Sequence, residues 1–340
     1  MAERDQRWDI FKGFAVFLVV LGHLTDDNTV LETLIYTVHM PIFFIVSGYF
    51  AWYSFEKNTV KDNITKKTKT LFLPWITWSA LAVIMNCIRE FLVNGVNVSF
   101  FIDKFKSVYC TSMSVWFLFV LYIIFILFGV SKAFEESIKN KCVGLLLFVG
   151  IVLLIPSLDI FEFRKIKINA FWFLLGYLLH FISVKQCIKK VFFKSGILFI
   201  PLYFCVFRLI SVNEFFSFYT LHFEFMSIGR GFFVSLVSIF YCILGLAFVW
   251  GYIVEFCTYM RMDRLSFSAI GKVTMEIYTI HMMFVSYIVF VPDAVRQSHL
   301  FCNYIYMPVY AILICLVIKI IVEKILHKIK LYNVLMLGKF

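Results

Sequence analysis

Ten apolar stretches separated by short polar segments constrain this chain more than any other feature. They fall at 9–25, 34–54, 71–88, 114–130, 142–157, 169–184, 195–211, 232–255, 273–291 and 304–326. A helix needs about 20 apolar residues to cross the hydrocarbon layer of a bilayer. Inside lipid, only helices and closed barrels satisfy their own backbone hydrogen bonds. Runs of this length therefore predict helices, and the composition agrees. Of 340 residues, 62% are hydrophobic and 16% charged, whereas a soluble domain carries about 25% charged residues. The expected fold is all-α: a polytopic integral membrane protein of about ten transmembrane helices, forming one domain over 1–340 with no appended soluble domain. No small-residue cleavage site follows the first apolar run, so that run reads as a retained helix.

Orientation follows from the Lys and Arg residues. With the N-terminus cytoplasmic and ten spans, 22 of the 32 fall in inside segments or, for Lys12 and Lys324, at the cytoplasmic ends of spans, eight fall in outside segments, and Arg208 and Lys319 lie within spans. The first outside loop carries Asp26, Asp27 and Glu32 and no basic residue. Such a bias is the positive-inside pattern and puts both termini in the cytoplasm. It also accounts for the net charge of +11 without nucleic acid as a partner. Trp8, Trp75, Trp78, Trp116 and Trp172 lie near span ends, where an aromatic belt would place them. The nine cysteines include no C-x-x-C pair, and those in apolar runs act as small hydrophobes. Neither a metal site nor a disulfide framework is expected.

Chemistry is expected where ionisable groups enter the bilayer at a cost. The first run carries Asp9, Lys12 and His23. Eleven residues separate Lys12 from His23, about three full turns, so the two share a face roughly 16 Å apart along the axis. Asp9 joins the same stripe one turn before Lys12. Gly13 and Gly22 would admit a neighbouring helix closely. In the second run His39 stands two residues before Pro41, which is expected to break or kink the helix. Ser47, Gly48 and Tyr49 follow. In the ninth run Glu276 and His281 are further intramembrane candidates, five residues apart and so poorly aligned on one face. Arg208 is a candidate for pairing with a carboxylate or for an anionic acceptor. An outside loop with Glu214, His222, Glu224 and Arg230 amid Phe and Tyr offers a possible sugar platform.

The stretches K-G-F-A-V-F-L-V-V-L-G-H at 12–23 and H-M-P-I-F-F-I-V-S-G-Y-F at 39–50 closely resemble the opening of the membrane-bound acyltransferase 3 family. The likeness is to its branch that O-acetylates envelope sugars, which includes the fucose 4-O-acetylase-like proteins. L-F-L-P-W-I-T-W at 71–78, A-F-W-F-L-L-G-Y-L-L at 170–179 and I-G-K-V-T-M-E-I-Y-T-I-H at 270–281 agree in order. The resemblance implies a ten-helix enzyme of the bacterial cytoplasmic membrane. It would move an acyl group, usually acetyl, from cytoplasmic acetyl-CoA to a hydroxyl of a polysaccharide or lipid-linked glycan. Acetyl-CoA is then a substrate, and no permanently bound cofactor is implied. His23 matches the family's essential histidine, and Lys12 occupies the position of its arginine. Lysine keeps the charge there but loses the bidentate fork.

On this reading His23 and His39 are the catalytic candidates, and Lys12 with Asp9 forms the donor-binding pair. Glu276, His281, Ser47, Tyr49 and Arg208 are secondary candidates. A histidine suits general-base work on a sugar hydroxyl because its ordinary pKa is near 6.5. Tyr49, Ser47 or His39 would supply an oxyanion donor. Two alternatives stand beside this one. One is the same transferase with another acyl group such as succinyl, and the other is a transporter or flippase of a polysaccharide precursor.

Overall fold

The computed structural model describes residues 5–25, 30–95, 98–111, 115–158, 160–180, 186–224, 226–260, 267–287, 291–292, 295 and 297–339. Asp26, Asp27, Arg261, Arg264 and Arg296, and parts of the sixth and ninth apolar runs, lie outside the described residues. Every regular element among the described residues is helical. In chain order they are α1 (Gln6–Gly22), α2 (Val30–Lys57), α3 (Val60–Lys67), α4 (Leu73–Asn94), α5 (Val98–Lys106) and α6 (Trp116–Ile138). Then follow α7 (Lys141–Leu154), α8 (Phe163–Leu178), α9 (Gln186–Ser195), α10 (Tyr203–Leu209), α11 (Val212–Thr220) and α12 (Ile228–Phe248). The last are α13 (Glu255–Tyr259), α14 (Phe267–Gly271), α15 (Thr274–Tyr287), α16 (His299–Phe301), α17 (Met307–Lys324) and α18 (Lys330–Leu337).

Five helical stretches among the described residues are long and apolar enough to cross a membrane: Val30–Lys57, Val60–Asn94, Trp116–Ile138, Ile228–Tyr259 and His299–Lys328. A sixth arises if Lys190–Leu198 and Tyr203–Leu209, bent by 72°, form one broken span. Pro201 stands in that bend, where its missing N–H and its ring interrupt the helical ladder. The four other apolar runs hold shorter helices: α1 with 17 residues, α8 with 16, and α7 and α15 with 14 each.

The chain divides into two compact units, Met1–Val46 with Leu178–Leu326, and Ser47–Tyr177 with His327–Phe340. In the first, α1 is the buried rod. The Asp5 side chain caps it by accepting the Arg7 backbone N–H at 3.0 Å. Its apolar residues cover the whole circumference, as expected of a helix enclosed by others. Gly13 lies so close to α14 that a Cβ there would strike the Phe267 carbonyl, and Gly271 of α14 packs on the Asp9 carbonyl in return. The sequence expectation of a close approach at Gly13 is met by backbone packed on backbone. At Gly22 the neighbour is the Ile35 side chain.

Helix α2 runs without interruption through Pro41, where the sequence predicted a break. A proline in an apolar helix is tolerated when nearby groups re-satisfy the freed backbone. Pro41 leaves the Thr37 carbonyl without its helical donor, while the turn before it is braced by the Thr37 hydroxyl, which donates to the Thr33 carbonyl at 2.7 Å, and by His39 Nδ1 on the Ile35 carbonyl.

In the second unit the sequence motifs build packing. Gly48 admits the Phe173 carbonyl of α8. Phe125, Phe128, Phe173 and Tyr177 form an aromatic cluster with ring centroids 4.7–5.3 Å apart. Thr77 and Trp78 of the 71–78 motif donate to the Leu335 and Met336 carbonyls at 2.7 and 3.3 Å, tying α4 to α18. Trp75, Trp78 and Trp172 are only 7%, 6% and 2% exposed. They are interior packing residues, not the interfacial fringe their positions suggested. Lys132 and Glu135 form a buried ion pair at 2.8 Å.

Candidate active site at the C-terminal end of the first helix

The first unit holds most of the polar residues singled out in the sequence, and it groups them at two levels of α1. Near its start, Lys12 Nζ meets Asp9 Oδ1 at 3.0 Å; Asp9 is 2% exposed and Lys12 half-buried. The i, i+3 spacing puts the two side chains on one face. Burying either charge alone would cost several kcal/mol, and the pairing offsets that cost. Asp9 thus anchors the ammonium, and an incoming anion at Lys12 would compete with or extend this pair.

At the other end, His23 sits one residue past the helix as its C-cap, with φ −85° and ψ −4°, and its side chain is exposed. The His281 imidazole of α15 lies beside it, with ring centroids 5.3 Å apart and planes inclined by 32°. His281 is 2% exposed. His39 of α2 is 7% exposed, and His23 lies within electrostatic range of both buried rings. Two imidazoles from two helices therefore meet at this end of the rod, with His39 of a third helix within electrostatic range of His23. Sequence spacing could bring His23 and His39 to adjacent helices, but only the fold adds His281.

The buried rings have defined tautomers. His39 Nδ1 lies 2.8 Å from the Ile35 carbonyl, and His281 Nδ1 lies 3.1 Å from the Ile277 carbonyl. A carbonyl can only accept, so each Nδ1 carries the proton and each neutral ring presents a lone pair at Nε2. For His281 that Nε2 is buried and has no hydrogen-bond partner among the described residues.

Aromatic side chains complete the surroundings, and sequence reasoning did not single them out. Tyr36 meets His39 edge-on at 4.9 Å, and Tyr219 of α11 lies parallel to His39 at 6.3 Å. Tyr278 is 6.1 Å from His281. The Tyr219 hydroxyl is buried without a hydrogen-bond partner among the described residues. Tyr36 was detectable as one turn before His39 on the same helical face; Tyr219 carried no local signal.

The remaining candidates are placed elsewhere. Glu276 is buried at 4% exposure on α15. Arg208 is exposed and forms no ion pair among the described residues, so the expected carboxylate partner is absent there. Ser47 and Tyr49 belong to the second unit, where Tyr49 meets Phe50 and Tyr53 edge-on. In the 212–231 region, Arg230 binds both Glu214 oxygens at 2.7 and 2.8 Å and the Leu209 carbonyl at 3.0 Å. Glu214 also closes a capping box with Ser211. These two residues are committed to holding α11 on α12. Among the described residues no group of three His, Cys, Asp or Glu could hold a metal ion.

A sequence profile described as "Acyltransferase domain" matches residues 5–323, nearly the whole chain. The chain belongs to the acyltransferase 3 family. The profile is that of an acyltransferase domain, and the long apolar helices fit a membrane protein. Two curated relatives are similar over a shorter stretch. Nodulation protein NolL of Sinorhizobium fredii (strain NBRC 101917 / NGR234) is 30% identical over 142 residues, 39% of this chain and 38% of the relative. Nodulation protein NolL of Mesorhizobium japonicum (strain LMG 29417 / CECT 9101 / MAFF 303099) is 26% identical over 143 residues, 39% and 37% of the two chains. The match thus spans well under half the length of either relative. No solved structure matches the chain.

Proposed function

We propose that this acyltransferase moves an acetyl group from cytoplasmic acetyl-CoA to a hydroxyl of a cell-envelope sugar or lipid-linked glycan. In this reading the ten apolar runs are ten spans of a bacterial cytoplasmic membrane, with both termini cytoplasmic. The shorter helices α1, α7, α8 and α15 are spans enclosed by neighbours or completed by flanking residues. The observation that carries the reading is the meeting of His23 with His281, 5.3 Å apart, on the helix that also carries the Lys12–Asp9 pair.

The chemistry runs along that helix. Coenzyme A is anionic, and Lys12 at the cytoplasmic end supplies a cation for it. The pantetheine arm then extends along the stripe and brings the thioester toward His23, about 16 Å away. His23 takes the proton of the acceptor hydroxyl as its oxygen attacks the thioester carbonyl. The carbon–sulfur bond breaks, and His23 returns the proton to the departing thiolate, leaving an ester and free coenzyme A. His39, whose neutral ring presents an acceptor nitrogen, orients the hydroxyl. The Nδ1–H of His39 is spent on Ile35, so His39 is not the oxyanion donor. Tyr36 and Tyr219 offer ring faces for a sugar's C–H surface.

Envelope glycans compared by mass spectrometry with and without the gene test this reading. Loss of O-acetyl groups with glycan export unchanged supports the transferase. Loss of export with acetylation intact on the remaining glycan would favour a transporter, and a mass difference of another acyl group would replace acetyl-CoA as donor.

A further inference from the structure

We propose that His281 is the positioning partner of His23: its Nε2 lone pair accepts the ring N–H of His23 and so fixes which His23 nitrogen faces the acceptor hydroxyl. This rests on the reading of His23 as the general base. Three observations carry it. The Nδ1–H of His281 is committed to the Ile277 carbonyl at 3.1 Å, so its Nε2 can only accept. That Nε2 is shut off from solvent in a residue 2% exposed, and it has no partner among the described residues. A buried acceptor left unmatched costs about 1–3 kcal/mol, so it is kept for something that arrives.

The neighbour is His23, at a centroid distance of 5.3 Å. Stacked rings in contact would lie about 3.5–4.0 Å apart. An end-on N–H···N bond of ordinary length places two imidazole centroids about 5 Å apart, which matches the spacing seen. The bond itself is not made in this structure. His23 is the exposed member, at a helix cap, and a rotation of its ring completes the bond while His281 stays fixed by Ile277.

The proton count is simple. Neutral His23 donates its one N–H to His281, and its other nitrogen takes the hydroxyl proton. The imidazolium keeps the first bond and gives the second proton to the thiolate. His281 never changes protonation state; it holds a ring in place, as a second partner does for metal-bound histidines.

The test compares His281→Phe, which keeps the ring volume but removes the acceptor, with His281→Gln, whose amide oxygen restores one. Both are made in the purified full chain in nanodiscs. The first readout is the rate at which diethyl pyrocarbonate modifies His23, followed by peptide mass spectrometry. The second is kcat and KM for acetyl transfer. The expected result is His23 modification slowed several-fold in His281→Phe and near parental in His281→Gln. Turnover should fall about 100-fold in the first and less than about 10-fold in the second, with both KM values unchanged. If His281→Phe lowers the melting temperature, His281→Leu takes its place. Equal losses in the Phe and Gln variants, or parental modification and turnover in His281→Phe, would overturn the pairing. A parent that transfers no acyl group would overturn the transferase reading instead, and the modification rates alone would then decide the pairing.

Discussion

Two of the buried polar clusters among the described residues, one from each compact unit, are finished differently. In the second unit Lys132 and Glu135 meet at 2.8 Å, and the ammonium also lies 5.5 Å from the Tyr177 ring centre. Both charges there have found their partners. In the first unit the three histidines stop short: each fixes one nitrogen on a carbonyl or stands at a cap, and His281 Nε2 is left without a partner among the described residues. Evolution tolerates an unmatched buried polar group where a substrate or a moving side chain will complete it. The satisfied cluster is therefore read as structure and the unsatisfied one as chemistry.

The sharpest way to break this contrast is to unbalance the satisfied cluster. Glu135→Leu leaves the buried Lys132 ammonium without its carboxylate and should cost about 3–5 kcal/mol, seen as a lower melting temperature in detergent, with turnover per folded molecule unchanged. Adding Lys132→Met should recover most of the loss. A turnover loss that outlasts the recovery of stability would make this cluster catalytic too.

The stripe on α1 should respond in function as well as in stability, because removing the Lys12 ammonium also takes away the charge beside buried Asp9. Lys12→Ala should raise the KM for acetyl-CoA about tenfold, equivalent to about 1.4 kcal/mol, while Lys12→Arg stays near the parent. Unchanged donor affinity in the alanine variant would limit Lys12 to partnering Asp9. His39→Phe, which removes the acceptor nitrogen, should raise acceptor KM several-fold with little effect on the donor.

The smallest effect is expected at Glu214. The Arg230 guanidinium beside it holds its carboxyl well below the usual range, down to about 2. A carboxylate depressed in the folded state contributes stability above its unfolded pKa, and that contribution is lost as pH falls from about 4.5 through about 2. Glu214→Gln should flatten the melting temperature over that window by a small amount, because the pair is partly open to solvent. An unaltered profile would show that the capping box alone holds α11.

The apolar runs made the helices legible, because length and hydrophobicity alone decide which segments can be buried. The Asp9–Lys12 pair was legible from the 3.6-residue period, and the close approach at Gly13 from a small residue within an apolar run. What the sequence concealed was tertiary. His281 stands at the far end of the chain from His23, and no spacing rule joins them. Pro41 misled because its effect depends on the packing around the helix, which can hold an apolar helix through a proline. The three buried tryptophans misled because an aromatic near a span end packs inward as readily as it lines an interface. Lys132 and Glu135 stand i, i+3 on one helical face, but just past the apolar run at 114–130 such a pair is ordinarily solvated.

The central claim is that acyl transfer takes place at the C-terminal end of α1. It is tested most directly by turnover per folded molecule of purified His23→Ala with labelled acetyl-CoA and an acceptor glycan. A loss of at least about 100-fold, the usual minimum contribution of a positioned base, with the parent's melting temperature retained, is the expected result. Parental turnover in that variant would contradict the account.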